Sequence, residues 1–161
     1  MRKGREFMKR IIMFLVAVTV VLVSVDAMAQ TDTSNLTSTA VVVATCTIQS
    51  VTNLDFGTYD TTVATDDDDG VGDAIFRCTK GTAWDIYITG ARTMTDGTDT
   101  LNFEMYQEVG RTTLWPAASV GVTGTAANNG INTLDIYGRI TALQDVQVGT
   151  YNGTVVVEIA F

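Results

Sequence analysis

The sequence predicts an all-β fold in a single exported domain. Three observations carry that reading. Beyond residue 29 no stretch sustains helical periodicity. Short runs rich in Val, Ile, Thr and aromatics are separated by clusters of Gly, Asp and Asn. The last segment alternates with period two: Tyr151, Gly153, Val155, Val157, Ile159 and Phe161 fall on one face, and Asn152, Thr154, Val156, Glu158 and Ala160 on the other. The first of these faces is apolar and is expected to be buried.

The expected strands follow in order. Residues 36–49 have strand composition and no turn residue before Cys46. Counting back from that cysteine, Ala44, Val42, Ala40, Ser38 and Leu36 share a face, opposite Thr45, Val43, Val41, Thr39 and Thr37. Residues 53–58 come next, then the turn cluster Asp66-Asp-Asp-Asp-Gly70 and a strand over 72–78. In 83–89, Ile86 and Ile88 alternate with Asp85, Tyr87 and Thr89. After Thr95-Asp-Gly97, Leu101, Phe103 and Met105 mark a strand over 100–107, followed by a short one at 113–115. Gly121-Val-Thr-Gly124 and Asn128-Asn-Gly130 read as turns, and 133–141 and 151–161 as the final strands. One face in and one face out suits two packed sheets.

Residues 1–29 read as an export signal. Arg2, Lys3, Arg5, Lys9 and Arg10 give a basic start, and Ile11 to Val23 is an apolar run of 13 residues. Ala27-Met28-Ala29 offers small residues for cleavage before Gln30. The run is too short to span a bilayer, and no stable membrane span is expected. The remaining 132 residues suit one domain. They hold five basic and 16 acidic residues, a net charge of −11. A nucleic-acid partner is excluded on that ground, because phosphate binding needs clustered Lys and Arg.

Export places the chain in an oxidising compartment, so its two cysteines, Cys46 and Cys78, are expected to pair. The bridge closes a loop of about 33 residues, worth roughly 3–4 kcal/mol in the chain-entropy model. No CxxC and no histidine exists to build a zinc site.

Catalysis has little to work with. There is no histidine, and none of Ser24, Ser34, Ser38, Ser50 and Ser119 sits in a nucleophile elbow. No enzymatic activity and no cofactor are expected. Asp66 to Asp69 is the one stretch with calcium-ligand chemistry, but the twelve-residue calcium-loop register fails, placing Phe76 where a bidentate Glu belongs. The expectation is an exposed, dispensable, solubilising loop with no metal site. Asn35-Leu-Thr and Asn152-Gly-Thr match a glycosylation pattern and are assigned no role.

Landmarks spread over the exported chain carry a family resemblance. They are Cys46-Thr-Ile48, Leu54-Asp-Phe-Gly-Thr-Tyr59, Phe76-Arg-Cys-Thr-Lys-Gly81, Leu101-Asn-Phe-Glu-Met-Tyr-Gln107 and Arg111-Thr-Thr-Leu-Trp115. Ile136-Tyr-Gly-Arg-Ile140 and Gly149-Thr-Tyr151, leading to Val155-Val-Val-Glu-Ile-Ala-Phe161, complete the set. In their order and spacing the chain resembles the spore coat protein U family, which includes subunits of archaic chaperone–usher pili.

The resemblance implies an immunoglobulin-like sandwich lacking its final strand and completed by donor-strand exchange. It divides the chain into the signal peptide, 1–29, a donor segment, 30–43, and an incomplete pilin domain, 44–161. Leu36, Ser38, Ala40 and Val42 would enter a neighbour's groove. Tyr151, Val155, Val157, Ile159 and Phe161 would line the acceptor groove. The implied partners are identical or related subunits, a periplasmic chaperone and an outer-membrane usher, and the implied place is a surface pilus, serving adhesion or biofilm formation. Two alternatives stand beside this: a spore or surface coat protein of the same fold, and a monomeric β-sandwich binding calcium or carbohydrate, with Trp84, Trp115 and Tyr137 as sugar-stacking candidates. The segment before Cys46 also reads as an ordinary first strand of its own sandwich.

Overall fold

A computed structural model describes residues 30–161 except Ser119. The expected signal segment lies outside the described residues. The chain divides into one unit ending at Ala40 and another, Val41–Phe161. In the first, residues 30–40 form no regular secondary structure and are exposed throughout.

Among the described residues, the second unit has nine strands: β1 (Cys46–Thr52), β2 (Val71–Cys78), β3 (Ala83–Thr89), β4 (Thr93–Thr95), β5 (Thr100–Asn102), β6 (Glu104–Tyr106), β7 (Val122–Thr125), β8 (Ile131–Arg139) and β9 (Val156–Ala160). All pairings are antiparallel. One sheet has the order β1-β2-β8-β6, another β7-β3-β9, and β4-β5 is a separate hairpin.

Period-two patterning builds the core. Along β2, Gly72, Ala74, Phe76 and Cys78 are buried, while the residues between them are half-buried or exposed. On the second sheet, Ile86 and Ile88 of β3 lie opposite Ile159 and Val157 of β9. The two inner faces meet where the Phe76 and Trp84 rings pack edge-on, 5.0 Å between centroids. Phe76, Ile86, Ile88, Met105 and Ile140 are fully enclosed. Each contributes about 1.5–3 kcal/mol of apolar burial. The expected disulfide is present: Cys46 and Cys78 bridge β1 to β2 with their Cα atoms 4.1 Å apart.

Several strands differ from the sequence expectation, each for a local reason. The strand expected over 36–49 begins only at Cys46, where pairing with Cys78 starts. Residues 53–58 are not a strand. Leu54 instead packs against the core and Phe56 sits within it. The Phe56 ring lies over Gly70 and Gly138, where any Cβ would collide with it, and meets Phe103 edge-on at 5.9 Å. The run 100–107 is broken at Phe103, whose N–H donates to the Arg92 carbonyl at 3.0 Å, so β5 pairs with β4 and β6 with β8. Residues 113–115 hold only a single bridge, Tyr106 to Leu114.

Conversely, the glycine pair read as a turn, Gly121 and Gly124, flanks and enters β7. Gly124 is tolerated in a strand because the Trp84 ring covers it and leaves no room for a side chain. Gly121 donates its N–H to Asp85 Oδ1 at 2.7 Å.

Candidate functional site

Of the strands at sheet edges, β1 and β9 approach each other with no strand between them among the described residues. Among the described residues, β1 pairs only with β2, and β9 only with β3. These edges belong to opposite sheets and approach within 8 Å at Cα without forming a ladder. A row of unpaired N–H and C=O groups along each edge is a template for another strand.

The side chains beneath this opening are apolar and incompletely covered. On β9, Val157 and Ile159 face inward with Ile88 and Ile86, yet remain half-buried although their partners are enclosed. Tyr151 and Val155, just before the strand, are likewise half-buried. Phe161, just beyond it, is 60% exposed. The face expected to be buried is therefore only partly so, because no strand lies outside β9 to close it.

The opposite wall is β1, which sequence reasoning did not assign. Ile48 faces inward opposite Phe76. A bulge between Ile48 and Ser50 then shifts the alternation, so that Val51, not Ser50, joins the inner row opposite buried Ala74. Val51 is nevertheless 44% exposed. Simple alternation from Cys46 points Val51 outward, and only the bulge reverses it.

Where β1 runs out and β9 has yet to begin, a cleft of about 740 Å³ opens between residues 54–61, the β4–β5 hairpin and residues 146–152. Phe56, Tyr59, Met94, Val146 and Tyr151 are among its walls. The Tyr59 hydroxyl donates to the Thr141 carbonyl at 2.9 Å and accepts from Gln144 N–H at 3.0 Å. Tyr151 donates to the Gln147 carbonyl at 2.9 Å, and burial, aided by the charges of Asp96 and Asp99, raises its pKa. The cleft is stitched from behind. The Gln144 side-chain amide accepts from Asn102 N–H at 2.8 Å and donates to Asn102 C=O at 2.7 Å, pairing with β5 as a strand residue would.

The expected donor residues form no strand. Leu36 is 96% and Val42 80% exposed, and Ser38 and Ala40 are exposed as well. Val41, Val42 and Val43 form an exposed apolar run in which only the backbone is held, the Thr79 hydroxyl donating to the Val43 carbonyl at 3.1 Å. Uncharged β-branched residues seldom stay uncovered in a working protein.

The acidic loop is not the free loop expected. Asp68 is half-buried and takes two hydrogen bonds from Arg139, at 2.7 and 2.9 Å, with Arg111 a further 3.3 Å away. Arg139 holds the Asp68 carboxyl below the usual carboxylate range, and Arg111 adds to this. Arg111 also donates to the Asp68 and Gly138 carbonyls. Asp66 accepts from Ala142 N–H at 2.9 Å, and Asp67 exchanges backbone hydrogen bonds with Ile140. The Asp66 and Asp68 carboxylates thus meet arginines, while Asp69 stays exposed as expected. Among the described residues, no cluster of three or more His, Cys, Asp or Glu side chains forms a metal site.

The aromatic sugar platform has no support either. Trp115 is buried, Trp84 is wedged between Phe76 and Gly124, and the Tyr137 ring is covered by Arg111 at 5.8 Å. Among the described residues, no helix is long and apolar enough to cross a membrane.

Comparison with known proteins decides the family. The Spore Coat Protein U domain profile matches residues 32–158. The chain belongs to this family. No curated protein matches it. Among solved structures, it is similar to a chain of the pre-assembly complex of the chaperone CsuC and the tip adhesion subunit CsuE, from archaic chaperone–usher Csu pili of Acinetobacter baumannii. Identity is 15% and the TM-score 0.53, over 74% of this chain and 40% of that one. The present chain thus spans two fifths of that chain's length. The likeness places this member of the Spore Coat Protein U family among immunoglobulin-like β-sandwiches.

Proposed function

We propose that this protein is a structural subunit of a chaperone–usher surface fibre, assembled by donor-strand exchange. One observation carries the reading: β1 and β9 expose facing, unpaired edges over apolar side chains, and the same chain holds an exposed segment, 30–43, that ends in the apolar run Val41–Val43. A strand laid between the edges satisfies both rows of backbone groups and covers Ile48, Val51, Val157 and Ile159. It takes about 4.8 Å on each side. The edges therefore part slightly when filled. Leu36, Ser38, Ala40 and Val42 would point inward against Tyr151, Val155, Val157, Ile159 and Phe161.

A groove left open in a subunit awaiting assembly is an aggregation hazard. A periplasmic chaperone supplying a temporary strand answers that need, and an outer-membrane usher is the place of exchange. The absence of histidine from the sequence fits a structural role rather than a catalytic one. Adhesion and biofilm formation are the uses such a fibre would serve.

Deletion of residues 30–42 tests the proposal. The truncated subunit should fold, keep its disulfide and bind a chaperone, yet form no detergent-resistant ladder on a cold gel. A strand inserted into a core leaves only through extensive unfolding, so the full-length protein should form that ladder. Normal ladders from the deletion would refute donor-strand exchange.

A further inference from the structure

The exported chain has two methionines in contrasting places. Met105 is enclosed in the core, 1% exposed. Met94 sits on the short β4 strand opposite buried Leu101, is itself half-buried, and forms part of the wall of the cleft where β9 begins. Its Cγ lies close to Gly153, where a Cβ would stand 3.0 Å away. The hairpin beneath is held by the paired backbone bonds between Thr95 and Asn152. Met94 is therefore a thioether on a fixed support at the edge of solvent, in a protein expected outside the reducing cytosol.

We propose that Met94 is the oxidation site of the unassembled subunit, and that its sulfoxide hinders filling of the groove; the second part rests on the strand-exchange reading above. In the reaction, the Met94 sulfur attacks one oxygen of a peroxide. The O–O bond breaks, an S–O bond forms, and the other oxygen leaves as water or alcohol, so that sulfur is oxidised and peroxide reduced. The product replaces a flexible apolar side chain with a polar, chiral one. Its oxygen needs a hydrogen-bond donor; the Phe56, Leu101, Ile140 and Val146 side chains of the cleft offer none, and the Tyr59 and Tyr151 hydroxyls already donate to the Thr141 and Gln147 carbonyls. Filling the groove beside it would enclose that oxygen. Met105, shielded by the core, escapes.

The test treats the full exported subunit with dilute hydrogen peroxide and maps the one-oxygen mass gain by peptide over time. Met94 should oxidise at least about tenfold faster than Met105. Polymerisation with and without peroxide is then compared for wild type and for Met94→Leu, each variant against its own untreated sample. Wild type should lose most of its ladder, and the Met94→Leu ratio should stay near one. Equal oxidation of the two methionines overturns the site. Selective oxidation with an undiminished ladder, or an equal loss in Met94→Leu, overturns its effect on the groove. Should untreated protein form no ladder, strand exchange fails together with that effect, while the mass map still decides the site.

Discussion

Val42→Asp separates a donor segment from an ordinary strand, because the structure supplies the control. Val42 is 80% exposed in the isolated chain. A carboxylate there stays in water, and the substitution should alter subunit stability by no more than about 0.5 kcal/mol. Covered by a neighbour's groove, the same position becomes costly. About 1.5 kcal/mol of valine burial is lost. Enclosing an unpaired carboxylate then adds several kcal/mol. The sum, about 4 kcal/mol or more, corresponds to roughly a thousandfold weaker association at 1.4 kcal/mol per tenfold. Val43→Asp, one residue on and facing the other way, keeps its charge at the rim and should be far milder. Urea melts of the monomers and ladders on cold detergent gels read both quantities. Equal ladders from the two variants would sink the register, and a large stability loss in monomeric Val42→Asp would place the segment inside its own sandwich.

Three further outcomes are expected. Replacing Cys46 and Cys78 together with serine should lower unfolding stability by about 2–5 kcal/mol in denaturant melts. Because Asp68 titrates lower in the folded chain than in the unfolded one, its contribution is present above the ordinary carboxylate pKa of about 3.9 and is lost as pH falls through the folded value. Acid melts should therefore show Asp68→Asn flattening the stability slope below about pH 4, by about 1 kcal/mol at most given the site's solvent access. Gly138→Ala drives a methyl into the Phe56 ring and should cost about 1–3 kcal/mol, seen as a lowered thermal midpoint.

The parts of this fold that were legible in the sequence depend on strict alternation. Ile86, Ile88, Val157 and Ile159 fall on one face because a strand's side chains repeat every two residues, and the structure puts all four in one inner row. The disulfide was readable because the expected export and a count of two leave little else. What stayed hidden depends on single long-range events. The bulge at Gln49 turns Val51 inward and so hides half of the groove. Gly124 looks like a turn until Trp84 is seen lying on it. The aspartate loop reads as free solvent-facing charge because its arginine partners lie more than 40 residues away, and only the fold brings Arg111 and Arg139 to Asp68. Phe103 breaks a plausible strand because its N–H finds Arg92 instead of a neighbour in the ladder.

The Gln144 amide that pairs with Asn102 has a consequence for architecture. It occupies the outer backbone positions of β5, much as the Leu114 segment occupies those of β6, and β7 is only four residues long with a glycine inside it. With these borders blunted, the proposed recruitment would be confined to the β1–β9 seam. Under the proposed strand exchange, each copy would bring one socket, the β1–β9 seam, and one plug, residues 30–43, which are unlike each other and so could not be matched by two-fold symmetry. Such heterologous, head-to-tail joining neither closes a dimer nor branches. Growth by such exchange would be linear and polar, with an empty socket at one end of a filament and an unused plug at the other.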